Sequence, residues 1–149
     1  MRDRKWVALS LLCLFFVSAQ AWGIGRAYSI LVDKSSNKLM LYFGDKLLKT
    51  YVVSTGANDS TPLGTFRVTT KLENPTWYKP GKVAGPQDKR NRLGTRWIGL
   101  SAKGYGIHGT TEPEKLGQSV SAGCVRMRNK DVEELFPFVK PGTEVTIRN

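Results

Sequence analysis

Short β-rich runs separated by turn residues dominate this chain. Residues 28–33 and 38–43 are two such runs, joined by Lys34-Ser35-Ser36-Asn37, a hairpin signal. Gly44-Asp45 turns into a third run over 46–54, whose Tyr51-Val52-Val53 strongly favours a strand. Phe66-Arg67-Val68-Thr69-Thr70 alternates apolar and polar side chains, as a half-buried strand does. Stretches 97–100 and 105–108 read as two further strands, and 144–147 closes the chain. About seven strands at this spacing predict a mainly β domain, a sandwich or partly closed barrel. One helix is expected: Asn129 caps it, Asp131, Glu133 and Glu134 suit its positive end, and Val132, Leu135 and Phe136 form its apolar face. Pro137 ends it, Pro141-Gly142 leads into the last strand, and a further helical turn is expected around Leu116.

Segment 74–94 breaks the pattern. It holds Pro75, Pro80, Gly81, Gly85, Pro86 and Gly94 together with Lys79, Lys82, Lys89, Arg90 and Arg92. A long aperiodic stretch inside a compact domain is either a lid over a site or a solvated connection. Trp77 and Tyr78 favour the lid, because large aromatics are wasteful on an idle loop.

The N-terminus changes how the cysteines are counted. Arg2, Arg4 and Lys5 precede an apolar run over 6–17, and Ala19-Gln20-Ala21 supplies small residues for cleavage. This three-part pattern predicts a secretory signal over 1–21. The apolar run is shorter than the roughly 20 residues that span a bilayer, so no stable membrane span is expected after cleavage. Of the 2 cysteines, Cys13 lies in the leader, leaving Cys124 beside the 1 histidine, His108. An odd cysteine in an oxidising compartment is a dimer link or a functional thiol, and its surroundings favour the thiol. One histidine and one cysteine make no credible zinc site, and no cofactor is expected. The formal net charge of +11 raises nucleic-acid binding, but an export signal and scattered lysines speak against it.

His108 lies in Tyr105-Gly106-Ile107-His108-Gly109-Thr110, and Cys124 in Ser121-Ala122-Gly123-Cys124-Val125-Arg126-Met127. A thiol attacks as thiolate, and an imidazole is the usual group that generates one near neutral pH. His108 is therefore the expected general base and then general acid for Cys124. The N–H groups of Gly123 and Cys124 are candidate oxyanion donors. Arg126 could hold a substrate carboxylate at two points, and Ser121 could bond the substrate or brace the turn. Arg126 and Arg128 are expected to favour the thiolate. Ser35-Ser36-Asn37-Lys38 matches an SxxK pattern, but a hairpin turn cannot aim Ser and Lys as the helix of that motif does.

The stretch from His108 to Met127 resembles the signature of the L,D-transpeptidase catalytic domain, also called the YkuD domain. Ser54-Thr55-Gly56, Thr61-Pro62-Leu63-Gly64-Thr65-Phe66 and Asn129-Lys130-Asp131-Val132 resemble further elements of that family. The resemblance covers residues 27–148 and departs at Ala122, where many members carry a second histidine. It implies a YkuD-like β-sandwich with one short helix after the cysteine. It also implies a monomeric enzyme in the periplasm or on the outer wall face, acting in cell-wall biogenesis and remodelling. Cys124 would attack a tetrapeptide stem of peptidoglycan, expel D-alanine, and pass the acyl group from a thioester to a diamino-acid amine as a 3-3 cross-link. Hydrolysis by the same fold, as L,D-carboxypeptidase or endopeptidase, is the alternative, and a non-catalytic wall-binding module is another. The resemblance further implies that the Gly109 carbonyl orients His108, that Tyr105 contacts substrate, and that carbapenem-type β-lactams inhibit.

Overall fold

The first two sequence runs pair as expected. In the computed structural model, which describes residues 25–149, β1 (Tyr28–Asp33) and β2 (Lys38–Phe43) form an antiparallel hairpin. The proposed leader over 1–21 lies outside the described residues. Ile30 sits opposite Leu41 and Val32 opposite Leu39, and alternation buries all four on one face. Asn37 closes the turn at φ 50°, a left-handed conformation that asparagine tolerates.

β3 (Lys46–Val52) extends this sheet beside β2, and β12 (Glu144–Arg148) lies parallel to β1 on its other side. β5 (Gly64–Glu73) joins two regions. Its first half pairs with β12 and its second half with β8 (Arg96–Leu100), across a register shift between Val68 and Thr70. Such an irregularity bends a strand and increases its twist, so one strand carries the sheet around a corner. β9 (Gly106–His108) follows antiparallel to β8, and β11 (Val125–Arg126) lies parallel to β9.

The eight strands run β11-β9-β8-β5-β12-β1-β2-β3, and the two ends approach each other. Just past β3, Ser54 exchanges both backbone hydrogen bonds with Arg126 of β11, each 2.9 Å. The sheet thus curls around one core, in which Ile30, Leu41 and Val53 pack with Ile98, Ile107, Val125 and Met127. Helix α1 (Asn129–Leu135) adds Val132 and Leu135 to that core. No helix among the described residues is long and apolar enough to cross a membrane.

Several local expectations are corrected. Residues 74–94 are not an aperiodic loop: β6 (Trp77–Lys79) and β7 (Lys82–Ala84) form a hairpin there. Buried Asn91 pins its base, donating to Pro75 O at 2.7 Å and accepting from Leu93 N at 2.9 Å. A parallel pair of very short strands, β4 (Thr55–Gly56) and β10 (Ser119–Ser121), was also not expected. The extra turn near Leu116 is a 3-10 turn over Pro113–Lys115. Asn129 does not cap α1. Arg128 holds the cap position without a side-chain bond, while Asn129 turns its side chain elsewhere.

Candidate active site

Strand alternation decides which side chains face the site. Ile107 lies opposite Val125 and His108 opposite Arg126 across the β9–β11 pair. Ile107 and Val125 are buried in the core, so His108 and Arg126 project from the other face. Cys124 immediately precedes β11, level with Gly106, and shares the parity of His108. The imidazole and the thiol are thus carried by neighbouring chain segments, with Cys124 one position before the β11 pairing begins. The half-buried Cys124 Sγ lies 3.8 Å from Gly104 O.

His108 is 3% exposed, and its surroundings define its protonation. Nδ1 lies 2.6 Å from Gly109 O. A carbonyl only accepts, so Nδ1 carries the proton and Nε2 keeps its lone pair. Trp97, opposite His108 in the β8–β9 pair, stacks on the ring with centroids 5.7 Å apart and planes at 23°. Gly106 makes that possible, since a Cβ there would sit 2.6 Å from the indole. Burial pushes the imidazole pKa down to about 4, against the opposing pull of the Gly109 and Leu93 backbone, with Arg126 adding to the depression. Burial likewise pushes the Cys124 thiol up, outweighing the Gly106 backbone and the charge of Arg126. Burial thus disfavours the charged form of each group, imidazolium and thiolate alike.

The turn that carries Cys124 is braced from two sides. Ser121 Oγ donates to Cys124 O at 2.6 Å and accepts from Gly123 N at 3.0 Å. Thr61 Oγ1 donates to Gly123 O and accepts from Gly56 N, both at 2.7 Å. Gly123 has φ 133°, and a Cβ there would meet the Tyr105 ring at 2.6 Å.

A family model, the L,D-transpeptidase catalytic domain (YkuD), matches residues 27–147. The chain belongs to this family. It is 40% identical to the L,D-transpeptidase relative YqjB of Bacillus subtilis (strain 168), over 92% of this chain and 83% of the relative. It is also 40% identical to the relative YkuD of Bacillus licheniformis, over 80% of this chain and 65% of that one. An L,D-transpeptidase structure from Mycobacterium smegmatis superposes with TM-score 0.69 at 15% identity, over 82% of this chain and 58% of the other. L,D-transpeptidase 3 of Mycobacterium tuberculosis, solved with a faropenem-derived adduct, gives 0.70 at 17%, over 83% and 60%. At such identities the structures speak for a shared fold. The chain spans less than two thirds of these last three.

Within the L,D-transpeptidase domain, Gly123, Arg126 and Arg128 stand differently from the roles expected from sequence. Ser121 is buried and its hydroxyl proton goes to Cys124 O, so it braces the turn, one of the two roles expected of it. The Gly123 N–H is engaged by Ser121, leaving the Cys124 N–H as the remaining candidate of the two expected oxyanion donors. Arg126 is not open for a two-point contact: its side chain is 13% exposed and Nη1 donates to Glu112 Oε2 at 3.2 Å. Tyr105 packs its ring against Gly123. Arg128 is exposed and is not among the influences on the thiol. Trp97, Thr61 and Asn129 belong to the site's construction, and no site role is assigned to them from sequence. The only signal for the last two was their place inside the family-like motifs.

Beside this face, the β6–β7 hairpin borders a cavity of about 540 Å³ lined by Trp77, Lys82, Lys89, Arg92, Thr111 and Glu112. Glu112 also pairs with Lys115 and Arg126, so the cavity wall is continuous with the side chain opposite His108.

Proposed function

We propose that this L,D-transpeptidase-family protein acts on peptidoglycan stem peptides through a thioester on Cys124. The observation that supports the reading best is the tautomer of His108: with Nδ1–H committed to Gly109 O, Nε2 is free to accept the thiol proton on the face shared with Cys124. Burial disfavours the charged form of both groups, and in this reading proton transfer accompanies attack. Sγ bonds to the carbonyl carbon of the third stem residue, and its proton passes to Nε2. The tetrahedral oxyanion takes the Cys124 N–H, the imidazolium protonates the departing D-alanine amine, and the thioester remains. A diamino-acid amine then attacks the thioester, His108 takes the amine proton, and the thiol is restored as the 3-3 link forms.

The cationic cavity beside the hairpin fits this substrate class, since stem peptides carry carboxylates and Lys82, Lys89 and Arg92 line it. An exported, wall-facing enzyme is the matching location.

Incubating the protein with tetrapeptide-bearing muropeptides tests the reading. Release of D-alanine with a cross-linked dimer is the expected product pattern. D-alanine without dimer would make the protein a hydrolase on the same fold, and neither product would overturn catalysis. A carbapenem is expected to add its mass to the wild type and not to Cys124→Ser.

A further inference from the structure

Asn129 reaches away from its own helix toward the backbone that orients His108. Its Oδ1 accepts from Thr110 N at 3.1 Å and from Thr95 N at 3.3 Å. Both partners are donors, which fixes the oxygen, not the amide nitrogen, as the atom facing them. Space for it is cut by two glycines: a Cβ on Gly94 or on Gly109 would lie 2.1 Å from Oδ1.

The Thr110 N–H and the Gly109 carbonyl are two ends of one planar peptide unit, pointing in opposite directions. Asn129 holds the N–H end, and His108 Nδ1–H donates to the carbonyl end at 2.6 Å. The peptide cannot rotate without breaking both bonds, and each bond polarises the amide in the sense that strengthens the other. Two residues earlier, Met127 N donates to His108 O at 2.8 Å, so the segment after Cys124 grips 108–110 at two points.

We propose that Asn129 is a positioning residue that holds the Gly109–Thr110 peptide in the orientation that keeps His108 protonated on Nδ1. The proposal rests on reading His108 as the proton acceptor for Cys124. Asn129 touches no reacting atom. It acts through the carbonyl that selects the tautomer, much as a buried carboxylate does in other nucleophile–histidine systems.

The chain has 1 histidine, so ring-nitrogen NMR of the purified protein reads this imidazole alone. The wild type is expected to show one Nδ1-protonated tautomer at pH 7. Asn129→Ala is expected to show mixed tautomers and about tenfold slower acylation by a carbapenem, with the saturation constant unchanged. Asn129→Asp retains the acceptor oxygen and is expected to restore the single tautomer. A folded Asn129→Ala that keeps one tautomer and a rate within twofold of wild type would overturn the proposal. So would a folded Asn129→Asp that loses the tautomer, which decides the matter if the Ala variant does not fold. A clip that merely docks the helix would lower Tm and leave the tautomer unmoved. Failure of the wild type to be acylated at all would count against the proposed function and leave the NMR result standing.

Discussion

Trp97 covers one face of His108, with ring centroids 5.7 Å apart, and so helps remove the imidazole from water. Burial is the largest cause of its low pKa, about 4. Trp97→Leu is expected to re-expose the ring and raise its pKa toward the ordinary value. The base would then be lost at higher pH, so the acid limb of the acylation rate should move up by about one unit. A profile between pH 4 and 8 checks this, and an unmoved limb would show that Trp97 does not set the ring's solvation.

The same depression makes folding stability depend on pH. The folded state holds its proton less tightly than the unfolded chain, so the unfolded state binds more protons between about pH 4 and pH 6.5. Stability therefore rises with pH across that window and is lost as pH falls through it, by roughly 3 kcal/mol for a fully buried ring. Urea unfolding at pH 4.5 and 7 should show the difference, and His108→Gln should remove most of it. An equal pH effect in that variant would assign the loss to other groups.

Gly123 and Gly81 both have positive φ, 133° and 72°, but different surroundings. A Cβ on Gly81 meets nothing within 4 Å, whereas on Gly123 it meets the Tyr105 ring at 2.6 Å and Ser60 O at 2.9 Å. Gly81→Ala is expected to cost about 1 kcal/mol, from backbone conformation alone. Gly123→Ala should cost more and also slow acylation, because the turn bearing Cys124 must shift. Thermal melts of the two variants give the comparison, and equal losses would refute the packing argument.

Ser121 separates a brace from a substrate contact. Ser121→Ala leaves the buried Gly123 N–H without its acceptor, at a cost of about 1–3 kcal/mol. Acylation should slow with the saturation constant unchanged. A raised KM at unchanged stability would mean instead that the hydroxyl meets the substrate.

Much of the fold was legible where runs were long enough to show a period. The hairpin of β1 and β2 is legible to its ends, because two runs of 6 residues and an Asn-containing turn reinforce one another. β4, β6, β7, β10 and β11 are two or three residues long, too short for any alternation to register. The helix was recognised, but its start was assigned a cap that Asn129 does not make, since local capping lost to a partner 34 positions away.

By itself, the sequence determined the chemistry available: a thiol in Gly-Cys-Val, the 1 imidazole before a glycine, and a set of motifs that mark the family. Those are properties of residue type and order, which need no partner to be read. Only the tertiary structure decided that β9 and β11 lie side by side, which proton the imidazole keeps, and that burial raises the thiol. Thr61 meeting Gly123, Trp97 covering His108 and Arg126 binding Glu112 were decided there too. The reason is physical: desolvation and hydrogen-bond pairing depend on what lies nearby in space, and the curl of one sheet brings β3's end to β11.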